Sequence, residues 1–336
     1  MSFEKILDVK DFSLSFMMRG RKAYAVKNIS LEVFKGEIAA LVGESGCGKT
    51  VTALSCMGLQ PEDAVISGKI ELAGRDVLSF SRKQWNSFRG KNVSMIFQEP
   101  MTSLNPLVKV GRQIAEAGIV HGFDKASAKK KALQLMEEVN LSGAKNMYDD
   151  YPFMLSGGQR QRIMIASALM NEPELLIADE PTSALDATTQ LQIMKALCKI
   201  NEEFKTSILF ISHDIALVKK FCTRVYIMYA GSILECGGTK DVLENPVHPY
   251  TKALLKALPS AEKRNTELSL IQGCVPPIDF RPEDYSYLYE RWPSAKYVCY
   301  RRGSVAAGAC TSKSGTGAGM GVHKAYCHLH NVLEDV

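Results

Sequence analysis

The octapeptide GESGCGKT, residues 43–50, combines glycines, a lysine and a threonine at the spacing GxxxxGK[ST]. Glycines let backbone N–H groups curl around phosphate oxygens, the lysine supplies a cation, and the threonine hydroxyl can ligate Mg²⁺. The octapeptide lies between an apolar run and a helical pattern, which is the context that this chemistry requires. A glycine-rich loop can also match the pattern by chance, so a second element must supply the remaining chemistry.

Two adjacent carboxylates supply that element. Asp179 ends a second apolar run, ELLIAD (residues 174–179), and Glu180 follows it. A carboxylate at the end of such a strand can hold the water shell of the same magnesium ion. Its neighbour can then accept a proton from a water that attacks the terminal phosphate. The tripeptide DEP is also typical of a solvated strand-to-turn junction, but beside a phosphate loop it predicts hydrolysis of a nucleoside triphosphate.

A third polar segment, LSGGQ (residues 155–159), precedes a long helical pattern. Small residues there let another group approach the backbone, and the start of a helix favours an anion. An ordinary serine cap would have the same sequence. Together with the phosphate loop and Asp179, this segment resembles the ATP-binding cassette (ABC) ATPases. The resemblance implies that two cassettes pair head to tail, and that this signature segment closes over the γ-phosphate held by the partner.

The resemblance also assigns the remaining motifs. Gln98 in MIFQEP matches the glutamine that contacts Mg²⁺ and water, SALD (residues 183–186) matches the loop at the dimer interface, and His213 in ISHD matches the switch histidine. Catalysis is therefore expected from Glu180 as general base with His213, Gln98 and Lys49, and magnesium binding from Thr50, Gln98 and Asp179. The residues expected to contact ATP are Gly43, Glu44, Ser45, Gly46, Cys47, Gly48, Lys49, Thr50, Val51, Ser156, Gly157, Gly158, Gln159 and Asp186.

The adenine ring is expected to stack on an aromatic side chain of the N-terminal strands. Phe16 fits the family's placement best, and Tyr24 is the alternative. Either ring could instead be a packing residue of a β-sheet.

The order of secondary structure predicts an α/β fold that positions these residues. Apolar runs at residues 36–43, 174–179 and 206–212 read as buried strands, and helical periodicity lies between the last two and at residues 132–139. Alternating strands and helices indicate a mostly parallel core sheet. We expect an ABC-type P-loop NTPase domain over residues 1–259, with a helical subdomain at about 100–165 and a small C-terminal extension over residues 260–336.

The two ends of the chain depart from this alternation. Residues 6–16 and 23–33 flank the turn-like MMRGRK, which predicts antiparallel strands in an N-terminal β-subdomain. Residues 301–321 are rich in glycine, alanine and serine, which predicts a mobile or loop-like stretch.

Longer segments of the sequence indicate which group of ABC ATPases the chain resembles. FQEPMTSLNP (residues 97–106), HPYTKALLKALP (residues 248–259) and IQGCVPP (residues 271–277) resemble the ATPases of dipeptide, oligopeptide and nickel importers. The resemblance implies a second, related ATPase, two permease subunits and an external solute-binding protein, with this chain peripheral on the cytoplasmic side of the cell membrane. The transported solute, whether peptide, nickel or another, stays open.

Composition and charge exclude several other classes. The net charge of +5 is mild, and the basic run at residues 129–131 is most simply the solvated face of a helix, so nucleic acid is not indicated. No apolar run is long enough to span a bilayer. The start MSFEKILDVK lacks a signal-peptide pattern, so nine scattered cysteines suggest reduced thiols in a cytosolic setting. A translation or repair ATPase would carry two cassettes or a long coiled coil, and a P-loop kinase would lack LSGGQ.

Two cysteine questions remain. Cys47 lies near backbone N–H groups and Lys49, which predicts a lowered thiol pKa and reactivity toward maleimide. Relatives often carry four cysteines in the extension, and some bind an iron–sulfur cluster with them. Here only Cys299 and Cys327 match, because the other two positions fall near Ser286 and at Trp292. We favour an extension without a cluster. The alternatives are an iron–sulfur site, or a zinc site in which His323, His328 and His330 join Cys299 and Cys327.

Overall fold

The computed structural model describes residues 4–183, 185–258, 271, 273–281, 288, 291, 309–312 and 323–326. The strands, in chain order, are β1 (Lys5–Met18), β2 (Arg21–Phe34), β3 (Ile38–Val42), β4 (Val65–Leu72), β5 (Arg75–Asp76), β6 (Val93–Ile96), β7 (Leu175–Asp179), β8 (Ser207–Ser212), β9 (Arg224–Tyr229), β10 (Ser232–Gly238), β11 (Ala309–Ser312) and β12 (His323–Tyr326). The α-helices are α1 (Lys49–Cys56), α2 (Arg82–Phe88), α3 (Pro100–Ser103), α4 (Val110–Val120), α5 (Lys125–Glu138), α6 (Ala144–Met147), α7 (Gly157–Ala168), α8 (Ala187–Phe204), α9 (Ile215–Phe221), α10 (Thr239–Glu244) and α11 (Pro249–Lys256).

The described strands form two sheets. The N-terminal sheet has the order β2-β1-β4-β5, and its pairs β1–β2 and β1–β4 are antiparallel. The core sheet has the order β11-β12-β10-β9-β3-β8-β7-β6. Its strands from β9 to β6 are parallel, which confirms the α/β prediction, and β10, β12 and β11 add antiparallel strands at one edge.

Parallel sheets are normally buried on both faces, and both faces of this core sheet pack against other elements of the chain. On β3, Ile38, Ala40 and Val42 pack into one hydrophobic cluster with helices α4, α5, α7 and α8. Ala39 and Leu41 point to the opposite face and pack with α1 and the N-terminal sheet. The phosphate loop, which follows β3 directly, is thus anchored between two hydrophobic cores.

Helices α3 to α7 fill the chain between β6 and β7. Helices α4, α5 and α7 pack against one another around Ile114, Ala132 and Ile163, all fully buried. This helical unit carries the signature segment at the start of α7. Within the described ranges no helix is long and apolar enough to cross a membrane.

The prediction of a loop over residues 301–321 is wrong in part. Residues Ala309–Ser312 form β11 and pair in antiparallel register with β12, which in turn pairs with β10 of the core sheet. Pairing of the backbone with an existing sheet edge outweighs the weak strand preference of a small-residue sequence. These two C-terminal strands therefore share one sheet with the parallel strands of the core.

Candidate functional site

The phosphate loop, residues 43–50, runs from the end of β3 to the first turn of α1. Gly46 and Gly48 take left-handed backbone conformations, with φ of 76° and 110°. Gly43 has no room for a side chain, because a Cβ there would lie 2.1 Å from the carbonyl oxygen of Met228. α1 begins after Gly48 without a side-chain cap. Its first N–H groups therefore point into the loop, where a phosphate can accept them.

Lys49 closes this loop from within. Its Nζ donates hydrogen bonds to the carbonyl oxygens of Gly43 at 2.9 Å and Glu44 at 3.0 Å, and the residue is 5% exposed. The same Nζ lies 3.9 Å from Oε1 of Glu180. The cation is thus held at the loop and directed toward the carboxylates at the end of β7.

Asp179 and Thr50 form the part of the site that fits Mg²⁺. Asp179 is 2% exposed, burial raises its pKa, and the Thr50 hydroxyl donates a hydrogen bond to it. Its Oδ1 is buried and has no hydrogen-bond partner among the described residues. A buried carboxylate oxygen without a donor beside a threonine hydroxyl is a ligand set that a hard cation prefers.

Glu180 is the centre of a second group of side chains. Its Oε2 accepts a hydrogen bond from Nε2 of Gln98 at 3.2 Å and lies 3.2 Å from Nδ1 of His213. The Glu180 backbone has a positive φ of 45°, uncommon for a residue with a side chain, and its N–H donates to the carbonyl of Ile211. Such strain at the end of a strand aims a side chain at a fixed point. The three predicted catalytic side chains therefore meet beside Lys49.

These residues line one cavity of about 780 Å³, a size typical of small-molecule sites. The lining residues are Ala25, Ser45, Gly46, Gly48, Lys49, Thr50, Val51, Gln98, Glu180, His213, Val275, Pro276, Pro277, Ile278 and Arg281. Phe16 and Tyr24 are not among them. Phe16 packs partly buried against the core of the N-terminal sheet, and its stacking on adenine stays a prediction.

The signature segment lies outside this cavity in the single chain. Ser156 caps α7: its Oγ accepts from the N–H of Gln159 at 3.3 Å, and the Gln159 side chain accepts from the N–H of Ser156 at 2.8 Å. Gly157 and Gly158 form the first turn. Asp186 is likewise the cap of α8: it accepts from the Thr189 hydroxyl and from the N–H groups of Thr189 and Thr188, and these bonds lower its pKa.

The prediction of a lowered thiol pKa at Cys47 is wrong. The thiol is fully buried and packs into the core beneath the loop, so desolvation raises its pKa more than nearby Lys49 lowers it. Ser45, Gly46 and Gly48 line the cavity, whereas the Cys47 side chain packs among the buried residues of α1 and the N-terminal sheet. Cys274, in contrast to Cys47, is exposed to solvent.

Three residues at this site were not predicted from the sequence. Arg281 lines the cavity, and Arg291 holds Glu44 of the phosphate loop through Nη1–Oε1 and Nη2–Oε2 contacts of 3.1 Å each. The Tyr250 hydroxyl donates to the same carboxylate at 3.0 Å. Tyr250 lies in HPYTKALLKALP, so that motif could have pointed to the loop, whereas nothing local marks the two arginines.

The possible metal ligands of the extension are largely untested. Cys299 and Cys327 lie outside the described residues. His323, an alternative zinc ligand, is buried with its Nε2 2.7 Å from Oε1 of Glu235 on β10. Glu235 also accepts from the N–H groups of Val247 and His248. The hydrogen bond with His323, followed by these two, lowers the pKa of Glu235 against the effect of burial. This pair fastens β12 to the core sheet.

Two family models match the chain. The model described as "ABC transporter" matches residues 26–183, and the model described as "Oligopeptide/dipeptide transporter, C-terminal region" matches residues 234–287. The first match contains the phosphate loop, Gln98, the signature segment and Glu180. The second contains Tyr250 and Arg281.

Curated relatives match along most of the chain. The dipeptide transport ATP-binding protein DppD of Lactococcus lactis is 44% identical over 279 residues, 82% of this chain and 80% of that one. The oligopeptide transport ATP-binding protein OppD of Salmonella typhimurium is 40% identical over 295 residues, 88% of each chain. A solved dimeric ATP-binding cassette in a post-hydrolysis state, bound to ADP and Pi, aligns at 26% identity and a TM-score of 0.63, over 69% of this chain and 98% of that one.

Proposed function

The chain belongs to the ABC transporter family as an ATP-hydrolysing, nucleotide-binding subunit, and we propose that the transporter it powers imports peptides. The observation that carries the ATPase assignment is the meeting of Lys49, Gln98, Glu180 and His213 at one cavity. The peptide assignment is supported by the matching C-terminal region and by relatives named for dipeptide and oligopeptide transport. Nickel is the alternative solute.

In the proposed mechanism, the phosphate loop and Lys49 stabilise negative charge on the transferring phosphoryl group. Thr50, Asp179 and Gln98 would hold Mg²⁺, which supplies charge neutralisation at the phosphates. Glu180 accepts the proton of the attacking water. Gln98 and His213 contact the same Oε2 of Glu180, so they fix the direction in which the other oxygen faces.

A second cassette completes each site. Ser156, Gly157, Gly158 and Gln159 lie outside the chain's own cavity, and this position supports their action on the nucleotide of a partner. Asp186 belongs to the same interface in this proposal. The partner is a related ATPase, and ATP closes the pair while hydrolysis opens it. The proposed assembly also contains two permease subunits and an external solute-binding protein, and no nucleic acid.

Exposed apolar side chains in the helical unit support a permease-binding surface there. Leu107 is 84% exposed, Phe153 66% and Met154 62%. Backbone hydrogen bonds from Val110 to Asp150 and from Gly111 to Tyr148 hold the two segments side by side. Large apolar residues clustered on a surface mark an interaction site. We infer that this surface holds the chain peripherally on the cytoplasmic side of the membrane.

The proposed division of the chain follows from these roles. Residues 1–259 form the ATPase domain, with its helical subdomain at about 100–165, and residues 260–336 form the extension. The edge strands β11 and β12 join the extension to the core sheet, which supports a role of the extension at the ATPase itself.

Reconstitution of the full transporter tests the proposal. Permeases, both ATPases and the solute-binding protein encoded beside this chain would be placed in proteoliposomes, and ATP-driven uptake of a labelled dipeptide would be measured. We expect uptake with the natural chain and none when both ATPases carry the variant equivalent to Glu180→Gln. Uptake of Ni²⁺ without uptake of dipeptide would overturn the peptide assignment and leave the ATPase assignment intact.

A further inference from the structure

One wall of the nucleotide cavity comes from the extension. Val275, Pro276, Pro277 and Ile278 line the cavity beside Ala25 of β2. These side chains are aliphatic or proline rings, whereas Lys49, Gln98, Glu180 and His213 gather at the other part of the lining. The cavity therefore has one polar part and one apolar part.

Arg281 joins the apolar wall to the phosphate loop. Its guanidinium donates to the carbonyl oxygens of Tyr24 at 3.1 Å, Ala25 at 3.2 Å, Gly46 at 3.0 Å and Pro276 at 3.1 Å. The residue is only 8% exposed. A planar, always-charged group that satisfies four carbonyls fixes β2, the loop and the wall in one arrangement.

Further contacts hold residues 273–281 from two other sides. The guanidinium of Arg21 donates to the carbonyl of Asp279, and that of Arg19 lies 3.8 Å from the Asp279 carboxylate and 6.0 Å from the centre of the Phe280 ring. Arg291 donates to the carbonyl of Gly273 at 3.2 Å while it binds Glu44. The segment is thus built into the site at both of its ends.

The position of the wall indicates its ligand. Phosphates bind at the loop amides and Lys49. Arg281 connects the wall to the loop, because it donates to the carbonyls of both Pro276 and Gly46, whereas Lys49 contacts Glu180 among the polar lining residues. A nucleotide held by its phosphates must then extend its nucleoside over the apolar part of the cavity. We propose that residues 275–278 form the surface against which the nucleobase of ATP packs, and that Arg281 is a positioning residue for this surface. The proposal rests on ATP binding as the proposed function.

Tripolyphosphate has the phosphates of ATP but no nucleobase, so it distinguishes contacts to the nucleobase from contacts to the phosphates. The dissociation constants of Mg-ATP and of Mg-tripolyphosphate would be measured by calorimetry on the full chain. For Ile278→Ser we expect ATP to bind about 10-fold more weakly, because apolar contact is lost, while tripolyphosphate binds as before. Retained tripolyphosphate binding also verifies that the loop of the variant is folded.

The matched control is Phe280→Ser, in the same segment. Phe280 is 64% exposed and does not line the cavity, so both ligands should bind within about twofold of the natural chain. If Ile278→Ser bound ATP as tightly as the natural chain, or if ATP and tripolyphosphate were both bound more weakly to the same extent, the proposed role of residues 275–278 would be wrong. If the natural chain bound neither ligand, the proposed function would fail together with the inference.

Discussion

Two helices of this chain begin with glycine-rich sequence, and their N-termini are completed in different ways. α1 begins after Gly48, whose left-handed backbone brings no side-chain acceptor to the first turn. α7 begins after Ser156, which exchanges two hydrogen bonds with Gln159 and so closes its own end. Similar composition thus produces one N-terminus prepared for a phosphate and one that is satisfied within the chain.

The difference separates two kinds of contribution to the same chemistry. The end of α1 is surrounded by Lys49, Glu180 and Asp179, so it can bind nucleotide within one chain. The end of α7 does not line this cavity, and in the proposed pair Gly157 and Gly158 would face the nucleotide of the partner. Nucleotide affinity of the single chain should therefore depend on α1, and turnover of the assembled pair should depend on both.

The largest effect is expected at the α1 end. Lys49→Met removes a buried cation and the two hydrogen bonds that hold the Gly43 and Glu44 carbonyls. Mg-ATP should bind the isolated chain at least about 10²-fold more weakly in a fluorescence titration. The exposed Lys83→Met is the control and should bind normally. If Lys49→Met bound Mg-ATP with an affinity within threefold of the natural chain, Lys49 would not contribute to nucleotide binding.

A substitution at the N-terminus of α7 should lower turnover of the assembled transporter but leave nucleotide affinity unchanged. Gly158→Asp places a negative charge at the helix start, where the proposed partner phosphate would lie. Turnover of the assembled transporter should fall by roughly 10- to 10²-fold through charge repulsion, while ATP affinity of the isolated chain stays unchanged.

Gly158→Ala is the matched control for bulk. Its Cβ would lie 3.0 Å from Cγ2 of Thr189, a side-chain methyl that can adjust. We expect a smaller loss of turnover than with aspartate. If Gly158→Asp weakened ATP binding by the isolated chain, the α7 end would belong to the chain's own site and the comparison would be wrong.

The packing behind the α1 end is tested by cysteine labelling. Cys47 is buried with a raised pKa, so its thiolate is scarce at neutral pH, whereas Cys274 is exposed. Maleimide should modify Cys274 at least about 10-fold faster than Cys47 in the native chain, as measured by peptide mass spectrometry. In denaturant the two rates should become similar. Rapid native labelling of Cys47 with protection by Mg-ATP would restore the expectation of a reactive thiol.

The smallest expected effect concerns the link between the α1 loop and the extension. Arg291→Ala should weaken ATP binding about fivefold, since Glu44 loses its paired guanidinium. Glu44→Gln should have a similar effect, and the double variant should be no worse than either single variant. Strictly additive losses would mean that the two side chains act independently.

The residues that could be predicted from the sequence are those whose chemistry is local. The phosphate loop, Asp179 and Glu180 each lie at the end of an apolar strand, and the structure places them at one edge of the core sheet as the α/β pattern requires. Cys47 shows the limit of local reasoning: a residue in the loop faced the core, because the direction of a side chain depends on tertiary packing.

The rest could not be predicted because it depends on pairs far apart in the chain. Arg281 meets Gly46, Arg291 meets Glu44, and His323 meets Glu235, with no periodicity or motif joining the partners. The pairing of β11 with β12 also depends on the edge that β10 presents. Such contacts depend on how the fold brings distant segments together, so they leave no signal in a short stretch of sequence.

The general-base role of Glu180 is the most direct point at which to test the account. Glu180→Gln keeps the size of the side chain and its neighbours Gln98 and His213, but removes the group that accepts the proton. In the assembled transporter, ATP affinity should be unchanged and steady-state ATPase activity should fall at least roughly 10²-fold. Near-normal ATPase activity at unchanged affinity would contradict the assignment and move hydrolysis to the partner's site.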